Sequence, residues 1–215
     1  MPNDKIVCYL YTVFDPKKKL IDFINNYKKY KPGLNHKLVI CLKLLNINEI
    51  NKIRKYLKNT KYIEFIDPEK KNDWDFGSYK RISEKFYNKD VLFLNSHSYP
   101  VCNNWLKKLF VHKNKENVIA TTSSYESLVD SVKLKNKFHK IIRYIKRKYH
   151  FSLNFNKFPN PHFRTTGFLI NSKIFLTYIK NKKLEYKEDA LKIESGKNGL
   201  TNYLKKKKMK IFVVN

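Results

Sequence analysis

The strongest constraint on the fold of this chain is an alternation between two hydrophobic periods. Residues 5–13 form an apolar run closed by Asp15-Pro16 and read as a strand. Residues 17–31 then place Leu20, Phe23, Ile24 and Tyr27 on one helical face. The pattern repeats as strand 37–45, helix 47–58 through Ile50, Ile53 and Leu57, and strand 61–66 closed by Asp67-Pro68. It continues as helix 78–87 through Tyr79, Ile82 and Phe86, strand 90–95, helix 102–112 and strand 117–122. Strands alternating with helices predict an α/β fold with a mostly parallel central sheet and helices on both faces. Ligands bind such sheets at the carboxyl ends of the strands. The polar cluster Asn95-Ser96-His97-Ser98, which ends strand 90–95, falls at that edge.

The second half is less regular. Residues 126–150 suggest a long basic helix, 158–172 a loop leading into a strand, and 173–180 a helix. Residues 185–200 read as a carboxylate-rich loop and helix start, 199–207 as a helix, and 210–214 as a closing strand. Without repeats or a Gly/Ser linker, residues 1–215 are expected to form a single domain. The chain stops directly after an apolar strand, so a C-terminal segment is expected to be missing.

Composition narrows the function classes. The 215 residues are 42% hydrophobic, enough for a substantial core, which argues against disorder. Lys+Arg 46 against Asp+Glu 18 gives a formal charge of +28. Only five of these cations are Arg, and Lys is spread along the chain together with abundant Asn and Ile, as an AT-rich coding sequence would produce. Specific nucleic-acid readers rely on Arg forks, so no specific nucleic-acid partner is expected. Cys8, Cys41 and Cys102 lack metal spacing and read as free thiols in a reducing, cytoplasmic compartment. No apolar run is long enough to span a bilayer.

Three segments carry candidate chemistry. In "NDWDFGSYKRI" (72–82), Asp73 or Asp75 can cap the next helix, and Gly77 allows close backbone approach. A carboxylate there could also accept from a nucleobase or ribose. In "PHFRTTGFLIN" (161–171), Arg164 with Thr165 and Thr166 suits phosphate oxygens, although a surface Arg before a strand reads equally well. In "KEDALKIESGKNGLT" (187–201), Glu194 on a loop could take a proton from an attacking hydroxyl.

In this order, "DFGSYKRI", "DVLFLNSHSYP…NNWL", "VIATTSSYES", "HFRTTGFLINS" and "ESGKNGLT" resemble the GT-A fold nucleotide-diphospho-sugar glycosyltransferases. The nearest likeness is to family-two-like and rhamnan-synthesis-type bacterial polysaccharide enzymes. The resemblance implies a Rossmann-related fold with a nucleotide-binding half (1–122) and an acceptor-side half (123–215). It implies an inverting hexosyltransferase with a nucleotide-sugar donor and a glycan or lipid-linked glycan acceptor. Carried over by position, it makes Glu194 the catalytic base. Tyr11, Asp75, Gly77, Asn95, Ser96, His97 and Arg164 become nucleotide-sugar-binding residues.

The chain departs from the family at residues 95–98, where relatives carry a metal-binding Asp-x-Asp. Asn and Ser are poor ligands for Mg2+ or Mn2+, so no metal ligand is assigned and no metal cofactor is required, although His97 could ligate Mn2+. Arg164, Lys80, Arg81, His97 or a helix N-terminus would then offset the diphosphate charge. The alternative is a non-catalytic module of the same fold that holds RNA, anionic lipid or glycan through its Lys surface. Helix "KLKNKFHKIIRYIKRKYHF" (133–151) also has two readings. Its face of Phe138, Ile141, Ile142, Ile145 and Tyr149 either packs on the sheet or meets an anionic membrane, making the protein peripheral to the inner face.

Overall fold

The computed structural model describes residues 5–131 and 141–214. A seven-stranded sheet runs in the order β3-β2-β1-β4-β8-β5-β9. Its strands are β1 (Lys5–Thr12), β2 (Lys37–Lys43), β3 (Ile63–Ile66), β4 (Asp90–Leu94), β5 (Asn117–Ala120), β8 (Gly167–Asn171) and β9 (Lys210–Val213). All neighbouring pairs are parallel except those of β8, which runs antiparallel to β4 and β5. A small ribbon pairs β6 (Ser123–Ser124) with β7 (His162–Phe163). The mostly parallel α/β sheet expected from the alternation is present.

Strand pleating divides the core in two. Ile6, Cys8 and Leu10 of β1 face α3 (Trp74–Lys85), α6 (Ser172–Ile179), α7 (Lys187–Ser195) and α8 (Leu200–Lys206). Val7, Tyr9 and Tyr11 face α1 (Lys17–Lys29), α2 (Ile47–Leu57) and α4 (Trp105–Val111). Local chemistry supports these elements. Asn46 accepts from the Glu49 N–H while Glu49 accepts from the Asn46 N–H, so a capping box starts α2. All three cysteines are free, and Cys8 and Cys41 are buried.

Three local expectations are corrected. Glu194 lies in the last turn of α7, because the helix runs from Lys187 to Ser195 instead of yielding to a loop. Helix α3 starts at Trp74, four residues before the expected boundary, so Asp75 lies inside its first turn. The long basic helix over 126–150 is not formed as a unit. Residues 126–127 are extended loop and 128–131 a turn, and the described helix is α5 (Ile141–Asn154). Phe138 and its neighbours in 132–140 lie outside the described residues. The expected apolar face of α5 does not pack on the sheet either. Phe151 is its one buried side chain, whereas Ile142, Ile145 and Tyr149 are exposed.

Candidate active site at the carboxyl edge

The carboxyl ends of β1, β2, β3 and β4 meet at one edge, together with the start of antiparallel β8. The segment before β8 ties this edge together. The Thr166 carbonyl accepts from the Asn95 N–H at 3.1 Å and from the Ser98 hydroxyl at 2.9 Å. The Thr165 N–H and hydroxyl both donate to Glu194 Oε1 at 2.9 Å. The Thr121 N–H donates to the Gly167 carbonyl at 2.9 Å. One four-residue stretch, Arg164 to Gly167, thus joins β4, β5 and α7.

Two carboxylates far apart in sequence come to this edge. Asp75 Oδ2 accepts from the Asn95 side-chain amide at 3.0 Å, and Asn95 Oδ1 accepts from the His97 N–H at 3.0 Å. Glu194 is oriented by Thr165. Each carboxylate therefore has one oxygen held. Asp75 Oδ1 and Glu194 Oε2 accept no hydrogen bond among the described residues. Burial pushes the Asp75 carboxyl above its ordinary value. The Asn95 hydrogen bond partly opposes this shift, and the negative charges of Asp15 and Glu194 add to it. Asp15 is the third carboxylate here, and both its oxygens are occupied. Oδ2 accepts from the Thr12 N–H and hydroxyl at 2.8 Å each, and Oδ1 accepts from the Ser96 hydroxyl.

The raised Asp75 has a measurable consequence. Its folded form holds the proton to a higher pH than its unfolded form, so it costs stability as pH rises from about 3.9 through the raised folded value. Asp75→Asn keeps an oxygen for the Asn95 amide and removes the charge. The variant is expected to melt higher than wild type at neutral pH. The difference should vanish at acid pH, where wild-type Asp75 is protonated. Melting curves across pH check this; a lower neutral-pH Tm for the variant would contradict it.

Below these carboxylates lies a buried ion network. Arg81 reaches Asp67 with Nε at 2.7 Å and Asp73 with Nη1 at 2.6 Å. Lys43, at 1% exposure, pairs with Asp73 and donates to the Trp74 carbonyl. The Ser78 hydroxyl donates to Asp67. Burial opposes ionisation of Asp73, but the hydrogen bonds from Arg81 and Lys43 outweigh it and hold the carboxyl below its ordinary value. The network fixes a left-handed backbone at Trp74 (φ 57°), an uncommon conformation for a non-glycine residue. The Trp74 indole N–H and the Tyr79 hydroxyl are buried and find no partner among the described residues.

The remaining candidates take varied positions. Gly77 is required by the protein itself, because a Cβ there would lie 1.9 Å from Asp73 Oδ2. Tyr11 is buried, and its hydroxyl donates to the Asp15 carbonyl at 3.1 Å, closing the turn after β1. Arg164 is half-exposed and pairs with Glu126, which is 76% exposed. His97 lines a cavity of about 380 Å³ beside β4, against Leu94, Trp105 and Leu109 on the α4 side of the sheet. The cations named as diphosphate partners are therefore largely committed, Arg81 to Asp67 and Asp73 and Arg164 to Glu126. Lys43 and Asp67 were not singled out as site residues in the sequence, and Thr165, read there as a phosphate partner, instead orients Glu194. The available signal for Lys43 was a lone lysine closing an apolar strand at the ligand-binding edge.

A divalent cation finds no assembled ligand set at this edge. Among the described residues no group of three or more His, Cys, Asp or Glu side chains is arranged to hold one. Asp15 already accepts three hydrogen bonds, from the Thr12 N–H and hydroxyl and from the Ser96 hydroxyl, and Asn95 turns its amide nitrogen toward Asp75.

No protein-family model matches the chain, and no curated protein matches it. Solved structures do. The chain is similar to GalNAc-T7 with UDP, GalNAc and Mn2+ at 12% identity and a TM-score of 0.58, over 98% of this chain and 42% of that one. It is similar to the apo glycosyltransferase GlyE of Streptococcus pneumoniae TIGR4 at 15% identity and a TM-score of 0.51, over 97% and 45%. It is similar to a 4-diphosphocytidyl-2C-methyl-D-erythritol synthase at 7% identity and a TM-score of 0.53, over 100% and 90%. The chain spans less than half the length of the first two. At these identities the likeness establishes the fold, the α/β architecture of GT-A-like nucleotide-diphospho-sugar transferases.

Proposed function

We propose that this chain, which carries the fold of nucleotide-diphospho-sugar transferases, moves a sugar from a nucleotide-diphosphate donor to a hydroxyl of a cell-surface glycan or related acceptor. The observation that carries this reading is that Asp75 and Glu194 come to one sheet edge, near enough for their charges to interact, each with one oxygen held and the other without a hydrogen bond among the described residues. Carboxylate oxygens with free lone pairs suit hydroxyl-bearing ligands.

In the proposed reaction Glu194 Oε2 takes the proton of the acceptor hydroxyl. The acceptor oxygen forms a bond to the anomeric carbon while the bond from that carbon to the diphosphate breaks. The nucleoside diphosphate leaves with the electron pair, and the configuration inverts. Asp75 and Asn95 orient the donor. Arg164 can exchange Glu126 for a diphosphate oxygen at little cost, because an exposed ion pair is worth only about 0–1 kcal/mol. No step is routed through a metal. The 1–122 half holds the nucleotide and the 123–215 half meets the acceptor. Three unpaired thiols suit a cytoplasmic location, with the acceptor presented at the inner face of the membrane.

One observation favours a second reading. The buried cations of the edge, Lys43 and Arg81, are neutralised by Asp67 and Asp73, which leaves a carboxylate-rich tip. That tip also suits a non-catalytic module in which the Lys-rich surface holds RNA, anionic lipid or glycan. A thermal-shift panel of UDP, GDP, dTDP and CMP, each with Mn2+ and with EDTA, separates the two. The transferase reading expects one nucleotide at a hundredfold excess over its Kd to add about 2.7 kcal/mol, roughly 5–10 °C for a domain of this size. EDTA should leave the shift in place. A flat panel would remove the transferase reading.

A further inference from the structure

Helix α5 carries two apolar stripes, and the protein uses only one. Ile141, Tyr144 and Phe151 turn toward the body, where Phe151 packs with Phe155 and Val129. The C-terminal end is anchored to α7 by the His150–Glu188 pair at 2.7 Å and to the turn after α7 by the Lys197 N–H donating to the Asn154 carbonyl at 2.8 Å. The second stripe is Ile142, Ile145, Tyr149 and Leu153, at spacings of three, four and four, with exposures of 66%, 58%, 66% and 56%. These spacings put all four on one line, about 16 Å long at 1.5 Å per residue. From Ile141 to His150 no side chain of the helix is buried, so this part stands clear of the core.

We propose that this outer face of α5 is a docking surface for an anionic lipid bilayer. At about 100° per residue, Lys146 lies beside the apolar line and Arg143 and Lys148 flank it on either side, each roughly 110° from its centre, whereas Arg147 turns toward the body over the Phe151 ring. The helix contains no carboxylate. An apolar line bordered by cations matches an interface in which hydrocarbon lies below and lipid phosphates lie at the level of the charged heads. The charge pattern selects the occupant. A second copy would bring the same cations against each other on a chain of formal charge +28. A negatively charged leaflet attracts them by about fivefold in affinity per cation near the surface. Among the described residues no helix is long and apolar enough to cross a membrane, so the surface lies on the bilayer and does not span it. The proposal is independent of sugar transfer and is tested without nucleotide.

The test is co-sedimentation of the full chain with vesicles of phosphatidylcholine alone or mixed with phosphatidylglycerol, over a salt series. The mixed vesicles are expected to bind at least tenfold more protein at low salt. An Ile142→Ser, Ile145→Ser, Tyr149→Ser variant should lose at least tenfold of that binding with its Tm unchanged, because all three side chains are already exposed. A Tyr149→Trp variant should be quenched by brominated acyl chains. Absence of binding to the mixed vesicles would overturn the proposal. So would binding that the triple-serine variant leaves unchanged, since diffuse adsorption of the Lys surface would then account for it. Lipid-free sedimentation velocity showing a dimer abolished by the same variant would assign the stripe to a second copy and overturn it as well.

Discussion

Arg81→Ala is expected to cost about 3–5 kcal/mol of stability, more than any other single change at the candidate site. Arg81 is the cation that two carboxylates share. The Asp67 side chain has no solvent exposure and Asp73 has 15%, so neither can recover hydration once the guanidinium is gone. Lys43 neutralises only Asp73, and the Ser78 hydroxyl alone does not balance a buried charge at Asp67. For a chain of this length the loss corresponds to roughly 6–20 °C in Tm. Arg81→Lys should fall in between, because an ammonium keeps the charge but cannot bridge both carboxylates in a fork. The pH dependence has a definite sign. Asp73 sits below its ordinary value, so its contribution is full above about pH 3.9 and is lost as pH falls through the depressed folded value. The gap between wild type and Arg81→Ala should therefore narrow toward acid pH. Denaturant or thermal unfolding of the two variants measures this, and a loss under about 1 kcal/mol would mean that the network is dispensable.

The balance of that network explains which parts of the site could be read from the sequence. The β1-to-β5 alternation was legible because each element advertises its own period, as in "KLVICLK" against the Ile50, Ile53 and Leu57 spacing of α2. The insertion of β8 between β4 and β5, antiparallel to both, was not legible. It depends on pairings such as Leu92 with Leu169, which no local pattern encodes. Arg164-Thr165-Thr166-Gly167 stood out as polar and carries much of the edge, but its hydrogen-bonding groups face inward to Glu194, Asn95 and Ser98. Composition alone does not distinguish a hydroxyl offered to a ligand from one consumed by a neighbour. Helix α7 was read as a loop because Gly196 follows it directly and its apolar positions are few. Lys43 carried a signal in principle, since a lysine buried at the end of an apolar strand needs a carboxylate, but its partner Asp73 lies thirty residues away.

Glu194→Gln is expected to lower turnover by about 10²–10⁴-fold while leaving the fold and donor binding in place. The geometry makes the two effects separable. Glu194 Oε1 accepts the Thr165 N–H and hydroxyl, and a glutamine Oε1 can accept both. The loop and the end of α7 should keep their positions, and the Tm should move by no more than about 2 °C. The open oxygen becomes an amide that cannot accept a proton from an attacking hydroxyl, so the loss should appear in kcat rather than in the nucleotide-induced thermal shift. Thr165→Val provides a complementary perturbation. It removes one of the two donors that orient Oε1 but leaves the carboxylate, so activity should fall less and remain dependent on Glu194. Sugar transfer and nucleotide binding measured in parallel on the three proteins test this. Full turnover in Glu194→Gln would rule out Glu194 as the base. Loss of nucleotide binding together with turnover would make it a donor ligand instead. Loss of turnover alone, with donor binding and Tm preserved, is the pattern expected of a proton acceptor at the edge of the sheet.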